Sequence, residues 1–165
     1  MDYTIEAAAP ADIPAIGAIL NDAILNSVAA WREAPMTQEE MSDWFECRDR
    51  DYAVLVARGP EGAVLGYASY GGFRAYSGYR HTVEHSVYVR EDARGLGIGT
   101  ALLARLAERA RDQGLHVMVG ALEAGNQASL ALHAGQGFVE TARMPEVGRK
   151  FERWLTLVLV QKILS

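Results

Sequence analysis

One cysteine, no run of five like charges, no surplus of basic residues and no long apolar stretch mark this 165-residue sequence. Each absence removes a class of protein. Cys47 alone cannot close an internal disulfide, which predicts a reducing, cytoplasmic setting. It lies in a polar helical stretch with Glu46, Arg48 and Asp49, where a packing or neutral role is the simpler reading than a nucleophile. Lys and Arg number 16 against 21 Asp and Glu, for a net charge of −5. Nucleic-acid binders draw much of their affinity from neutralising phosphates, so no nucleic-acid partner is expected. The densest apolar run, Leu155 to Val160, is interrupted by Thr156 and falls far short of a bilayer span, so no membrane partner is expected. The opening Met1-Asp2-Tyr3-Thr4-Ile5-Glu6 is acidic and lacks the apolar segment of a signal peptide. There is no repeat, low-complexity tract or linker, so residues 1–165 read as a single domain.

Half the residues are apolar and 22% are charged. At this length roughly two-thirds of the unfolded surface is buried on folding, enough for one core without disulfides or metal. Periodicity then orders the elements. Tyr3 to Ala7 reads as a short strand and Asp12-Ile13-Pro14 as a helix start with Asp12 at the N-cap, followed by Ile16, Ile19, Leu20, Ala23 and Ile24 at helical spacing. Thr37 and Glu40 form a capping box for a second helix through Met41, Trp44, Phe45 and Arg48. Residues 53–57 and 63–70 read as a hairpin about Gly59-Pro60-Glu61-Gly62, and residues 82–89 as a strand dense in β-branched residues. A helix with Leu102, Leu103 and Leu106 follows and ends at Gly114. A strand over 116–122, a helix over 126–134 and strands over 138–142 and 153–160 complete the reading.

Between the 82–89 strand and its following helix lies Arg94-Gly95-Leu96-Gly97-Ile98-Gly99. Glycines there admit positive φ and close backbone approach, and a helix start leaves N–H donors unpaired, so the segment suits a phosphate. Glycine content alone fits a flexible turn equally well. Thr100 stands where a Walker loop needs Lys and where a dinucleotide fingerprint needs its last glycine, which excludes both.

What remains, Arg94-x-x-Gly97-x-Gly99 after Val87-Tyr88-Val89, resembles the GNAT superfamily of acetyl-CoA-dependent N-acetyltransferases. The order of elements matches over essentially the whole chain. A narrower similarity, to the phosphinothricin and methionine sulfoximine acetyltransferase branch, rests on several segments. They are Asn21-Asp22-Ala23, Trp31, Pro35, Gly66-Tyr67-Ala68-Ser69-Tyr70, Phe73-Arg74, Gly78-Tyr79-Arg80, the run His81 to Ser86, His116-Val117-Met118-Val119 and Met144-Pro145-x-Val147-Gly148-x-Lys150-Phe151. Two positions depart from the pattern: Gly72, where Asp is common, and Ala134-Gly135-Gln136 in the helix after Asn126, Gly135 costing that helix about 1 kcal/mol relative to Ala.

The resemblance implies a single α/β domain with a central mixed, mostly antiparallel sheet flanked by helices and splayed where acetyl-CoA enters. It implies that Arg94, Gly95, Leu96, Gly97, Ile98, Gly99 and Thr100 hold the pyrophosphate, Val87, Tyr88 and Val89 the pantetheine arm, and Asn126 a nearby contact. The acceptor, a small amino acid analogue, would meet Trp31, Phe73, Arg74, Ala75, Tyr76, Arg80, Glu84, His85 and Ser86. Glu84 is implied as general base, the Val89 amide as oxyanion donor, and His133 as the acid or hydrogen-bond donor to the departing thiol. Beside these stand plainer readings: Glu84 on a solvated strand face, Arg74 and Arg80 as loop arginines, the aromatics as core, His133 on a helix surface. The reaction so implied is direct transfer in a ternary complex without a metal, and the branch implies a homodimer.

Two rivals come from other classes. His81-Thr82-Val83-Glu84-His85 satisfies the H-x-x-E-H pattern of zinc peptidases, but on a strand its histidines stand about 13 Å apart, too far to share a zinc ion. A non-catalytic acetyl-CoA sensor would keep the glycine turn without needing Glu84 or the Arg74 loop.

Overall fold

Short β-branched and aromatic runs divided by glycine turns become seven strands in a computed structural model that describes residues 2–165. They are β1 (Thr4–Ala7), β2 (Ala53–Arg58), β3 (Val64–Gly72), β4 (Thr82–Val89), β5 (Val117–Glu123), β6 (Val139–Lys150) and β7 (Arg153–Ile163), in the order β1-β2-β3-β4-β5-β7-β6. Every neighbouring pair is antiparallel except β4 and β5. A parallel pair needs a crossover, supplied here by the helix between them. Four helices, α1 (Ile13–Asn26), α2 (Gln38–Asp51), α3 (Ile98–Asp112) and α4 (Gln127–Gly135), flank the sheet. This is the expected α/β class and sheet type.

The two sheet faces bury separate cores. Leu102, Leu103, Leu106 and Ala110 of α3 pack on Leu55, Ala68, Tyr70, Val83, Met118 and Val158. On the other face, Ile16 and Ile19 of α1 with Met41 and Phe45 of α2 pack on Val54, Val56 and Tyr67. The capping box at α2 forms as expected, Glu40 N–H reaching Thr37 Oγ1 at 3.2 Å and Thr37 N–H reaching Glu40 Oε2 at 2.7 Å.

Three local expectations change. Asp12 does not cap α1 with its side chain. A 3₁₀ turn, Pro10–Asp12, precedes the helix, and the Asp12 carboxylate closes that turn by accepting from Ala9 N–H (2.9 Å) and from Arg58 (3.0 Å). Strands expected over 138–142 and 153–160 form a hairpin of 12 and 11 residues. Its pairing is carried through an irregular stretch between Met144 and Gly148, which hides the period-two pattern. Gly135 is the last residue of α4 and so lies outside the helix interior where its propensity cost applies. Among the described residues no helix is long and apolar enough to cross a membrane.

Candidate active site

The one parallel pairing in the described sheet is short. Strand β4 pairs with β5 from Thr82–Val117 to His85–Gly120 and no further. Thr82 O accepts from Phe73 N–H (3.2 Å) and Arg90 N–H donates to Leu65 O (2.9 Å), so even-numbered residues of β4 turn their backbone groups toward β3. Val87 and Val89 therefore turn theirs the other way, into the gap left by β5. Arg94 Nε reaches Val89 O at 3.3 Å across its mouth.

A cavity of about 1560 Å³ opens in this gap. Its walls are Val87, Tyr88 and Val89, the turn at Arg94, Gly95, Gly97, Ile98, Gly99 and Thr100, Asn126 and Ser129 at the start of α4, and Ser27, Val28 and Ala29 after α1. Gly95 and Gly97 adopt φ of +77° and +78°, the left-handed region where a side chain is strained. Gly97 is the N-cap of α3 and offers no side-chain cap, so the first-turn N–H groups and the positive helix end face this turn uncapped. Asn126, by contrast, caps α4, accepting from Ser129 N–H at 3.1 Å. Of the residues expected around the pyrophosphate and pantetheine, Leu96 alone stays off the cavity wall and is exposed.

Alternation along β4 sorts the acceptor-side residues. Glu84, Ser86 and Tyr88 share one face, and Tyr88 stacks on Tyr67 with ring centroids 5.6 Å apart. Partial burial raises the Glu84 carboxyl above the ordinary carboxylate range, while the positive charge of Arg74 opposes that rise. A second hollow of about 540 Å³ is lined by Phe73, Arg74, Ala75, Tyr76, Arg80 and Thr82 among others. The Arg74 guanidinium lies over the Phe73 ring (5.1 Å), and Phe73 meets Tyr79 edge to face (5.7 Å). Glu84 lines neither cavity; it sits on the strand face between Thr82 at the smaller and Tyr88 at the larger. Trp31 stands apart from both. Its Nε1–H donates to Val28 O (2.9 Å) and its ring packs against Gly148 of β6, where a Cβ would come within 2.3 Å.

His85 is corrected: it does not join the acceptor residues. The pleat sends it to the face opposite Glu84, where it is buried against His133. Burial and the neighbouring ring push it down to about 3. The helix-surface reading of His133 also fails. His133 is 4% exposed, lines the large cavity, and has both ring nitrogens engaged, Nε2 with His85 (2.9 Å) and Nδ1 with Ser129 O (2.7 Å).

Sequence reasoning passed over Lys150. Its ammonium, 2% exposed, donates to the carbonyls of Ile24, Ser27 (2.7 Å) and Ala30 (2.5 Å), using all three hydrogens to pin the segment after α1 that walls the cavity. Burial lowers its pKa and the charge of Glu33 opposes the change. The sequence signal was its place in the Met144 to Phe151 segment that resembles the branch, with no role attached. Among the described residues no group of three or more His, Cys, Asp or Glu is placed to hold a metal ion, so the H-x-x-E-H pattern lacks a ligand set.

Residues 17–138 match the model of the acetyltransferase (GNAT) family. The chain is 53% identical over 162 residues to the L-methionine sulfoximine/L-methionine sulfone acetyltransferase of Pseudomonas paraeruginosa, covering 98% of this chain and 94% of that protein. Among solved structures, an acetyltransferase from Salmonella typhimurium with its cofactor acetyl-CoA superposes with a TM-score of 0.96 at 45% identity, over 99% of this chain and 94% of the other. A GNAT superfamily phosphinothricin acetyltransferase from Sinorhizobium meliloti in complex with acetyl-CoA superposes at 0.95 with 36% identity, over 100% and 90%.

Proposed function

The chain belongs to the acetyltransferase (GNAT) family of enzymes, and from that membership we propose that it acetylates the α-amino group of a small amino acid analogue of the methionine sulfoximine, methionine sulfone or phosphinothricin type, with acetyl-CoA as donor. The observation that carries the reading is the gap beside β4, where uncapped helix donors and unpaired strand amides line one cavity. Those donors fit a diphosphate and an amide-bearing arm, and Arg94 and Arg153 at the wall add positive charge. Gly95 to Thr100 would hold the diphosphate, Val87 to Val89 and Asn126 the arm. Bound there, acetyl-CoA supplies an acetyl group activated as a thioester.

The chain's own residues do the rest. Arg74, whose charge already reaches Glu84, is suited to pair with the acceptor's acidic group, with Arg80, Phe73, Ala75 and Tyr76 around it. Glu84 takes the ammonium proton, directly or through water; its raised pKa brings it closer to an amine near 8. Ser86 shares its strand face. The oxyanion role moves from Val89 to Val87. Both amides turn into the gap, but Val87 is three residues from Glu84 and Val89 five, a difference of about 7 Å along a strand. Stabilising charge on the acetyl oxygen is worth most when the donor is fixed beforehand, as a strand amide is. As the amine bonds to the acetyl carbon the C–S bond breaks, and His133, at the cavity wall, would give a proton or a hydrogen bond to the departing thiolate.

Exposed Met144, Val147, Phe151 and Trp154 on the β6–β7 hairpin suit a homodimer contact, and net charge and composition suit a cytoplasmic enzyme without nucleic-acid or membrane partners. Free thiol released from acetyl-CoA, measured with each of the three analogues, tests the activity. Release that depends on the amine is expected. Acetyl-CoA binding without release under any of them would favour the sensor, and release abolished by a chelator would reinstate a metal.

A further inference from the structure

Among the described residues no carboxylate pairs with the buried Lys150 ammonium; its partners are backbone carbonyls. Those of Ile24, Ser27 and Ala30 stand three residues apart along the chain, so the stretch 24–30 wraps one cation. Ile24 lies in the last turn of α1, where carbonyls lack partners within the helix and the dipole is negative. Side chains tie the same stretch from within. Ser27 Oγ donates to Ala23 O (2.8 Å) and accepts from Ala29 N–H (3.1 Å), and the Trp31 indole N–H holds Val28 O.

The turn that carries Lys150 is strained. Lys150 pairs with Arg153 across Phe151 and Glu152, which adopt φ of +49° and +60°. A two-residue hairpin turn with both φ positive favours Asn and Gly, and other side chains there cost energy that the surrounding contacts must offset. The sheet faces then separate what the cavity walls serve. α1 packs on the face of Tyr67, the pairing partner of Tyr88, which is the face that carries Glu84. α3, whose first turn offers the donors suited to a diphosphate, packs on the opposite face. Ser27, Val28 and Ala29 therefore bound the large cavity from the Glu84 side, and Arg153 and Trp154, next after the strained turn, bound it too.

We propose that Lys150 is a positioning residue for the acceptor: by gathering three carbonyls on one ammonium it fixes residues 27–30 as the acceptor-side wall of the cavity, and so sets how the amine is seated. This rests on the acetyl-transfer reading only in taking the amine to enter on the Glu84 face. Without the ammonium, three carbonyls lose a charged donor and the wall loosens. The glycine turn, on the other face, keeps its shape.

Lys150→Met, which keeps the apolar stem and loses the ammonium, tests this with two readouts. In kinetics the KM for methionine sulfone is expected to rise about tenfold while the acetyl-CoA KM stays within about twofold. In amide hydrogen exchange, residues 27–30 are expected to exchange at least about tenfold faster, with the first turn of α3 unchanged. Two KM values that rise together overturn the proposal, as does a loss of stability with both KM values unmoved. Should Lys150→Met not fold, Glu152→Gly supplies a sturdier background, since glycine accepts the positive φ of that turn without strain, and the same two KM values decide there. Wild-type protein that acetylates none of the three analogues would sink the activity. The exchange arm would then still uphold or overturn the anchoring of residues 27–30 by Lys150.

Discussion

Adjacent residues of one strand meet opposite fates in β4. Glu84 leaves the sheet on the side of Arg74 and the aromatic loop, where its carboxylate stays within reach of solvent. His85, one position on, leaves on the side of α4 and is sealed under Phe138. Both are pushed toward their neutral forms by burial, the acid upward and the base downward to about 3. The difference lies in the neighbours: a cation softens the shift of Glu84, whereas a second imidazole deepens that of His85. One face thus leaves its ionisable group open to solvent, and the other seals two imidazoles against each other.

The largest effect expected is on the open face. Glu84→Gln should lower kcat by about 10²–10³-fold with little change in the acetyl-CoA KM, and should erase the acid limb along which wild-type activity falls as the carboxylate gains its proton. Equal turnover at all pH values would make the two faces alike and remove the base.

On the closed face, Gly120→Ala should cost about 1–3 kcal/mol in urea unfolding, because the new methyl meets His85 at 2.8 Å and Val160 Cγ2 at 3.0 Å. Ser86→Ala, on the open face one residue beyond His85, should stay within about 0.5 kcal/mol. Next comes Arg74→Ala, expected to raise the amine KM about tenfold and leave the acetyl-CoA KM unchanged. If both KM values move together, Arg74 shapes the loop instead of reading the acceptor.

The smallest effect separates the faces by the sign of a slope. The native state refuses a proton at His85 that the unfolded chain accepts, so its contribution to stability is present above pH 6.5 and is lost as pH falls toward about 3. The slope is at most about 1.4 kcal/mol per pH unit. Glu84 works the other way: its raised pKa contributes stability below the ordinary carboxylate value that is lost as pH rises through the native one. Unfolding measured across pH in His85→Gln should flatten the first trend and leave the second.

Much of this was legible in the amino acids. Short-range chemistry announces itself: the Thr37–Glu40 box and the glycine turn into α3 both formed where their spacing predicted. The resemblance led to the right class of sheet, and the residues it named for the cofactor lie, save Leu96, on the wall of the larger cavity. What stayed hidden involved partners far apart in the chain. His133 looked like a helix-surface residue because its partner lies 48 positions away, and Lys150 looked unremarkable because the carbonyls it holds lie 120 to 126 positions away. Asp12 misled for the same reason, since Arg58, 46 positions on, competes for its carboxylate.

The sequence alone determined the elements and the donors at the turn, because capping, glycine conformation and strand alternation act within a few residues of the chain. Only tertiary structure decided where β5 stops following β4, which amides that leaves unpaired, and which face of the strand is sealed. Those outcomes depend on how α4 and the β6–β7 hairpin pack against the sheet, and packing joins residues that no local pattern relates.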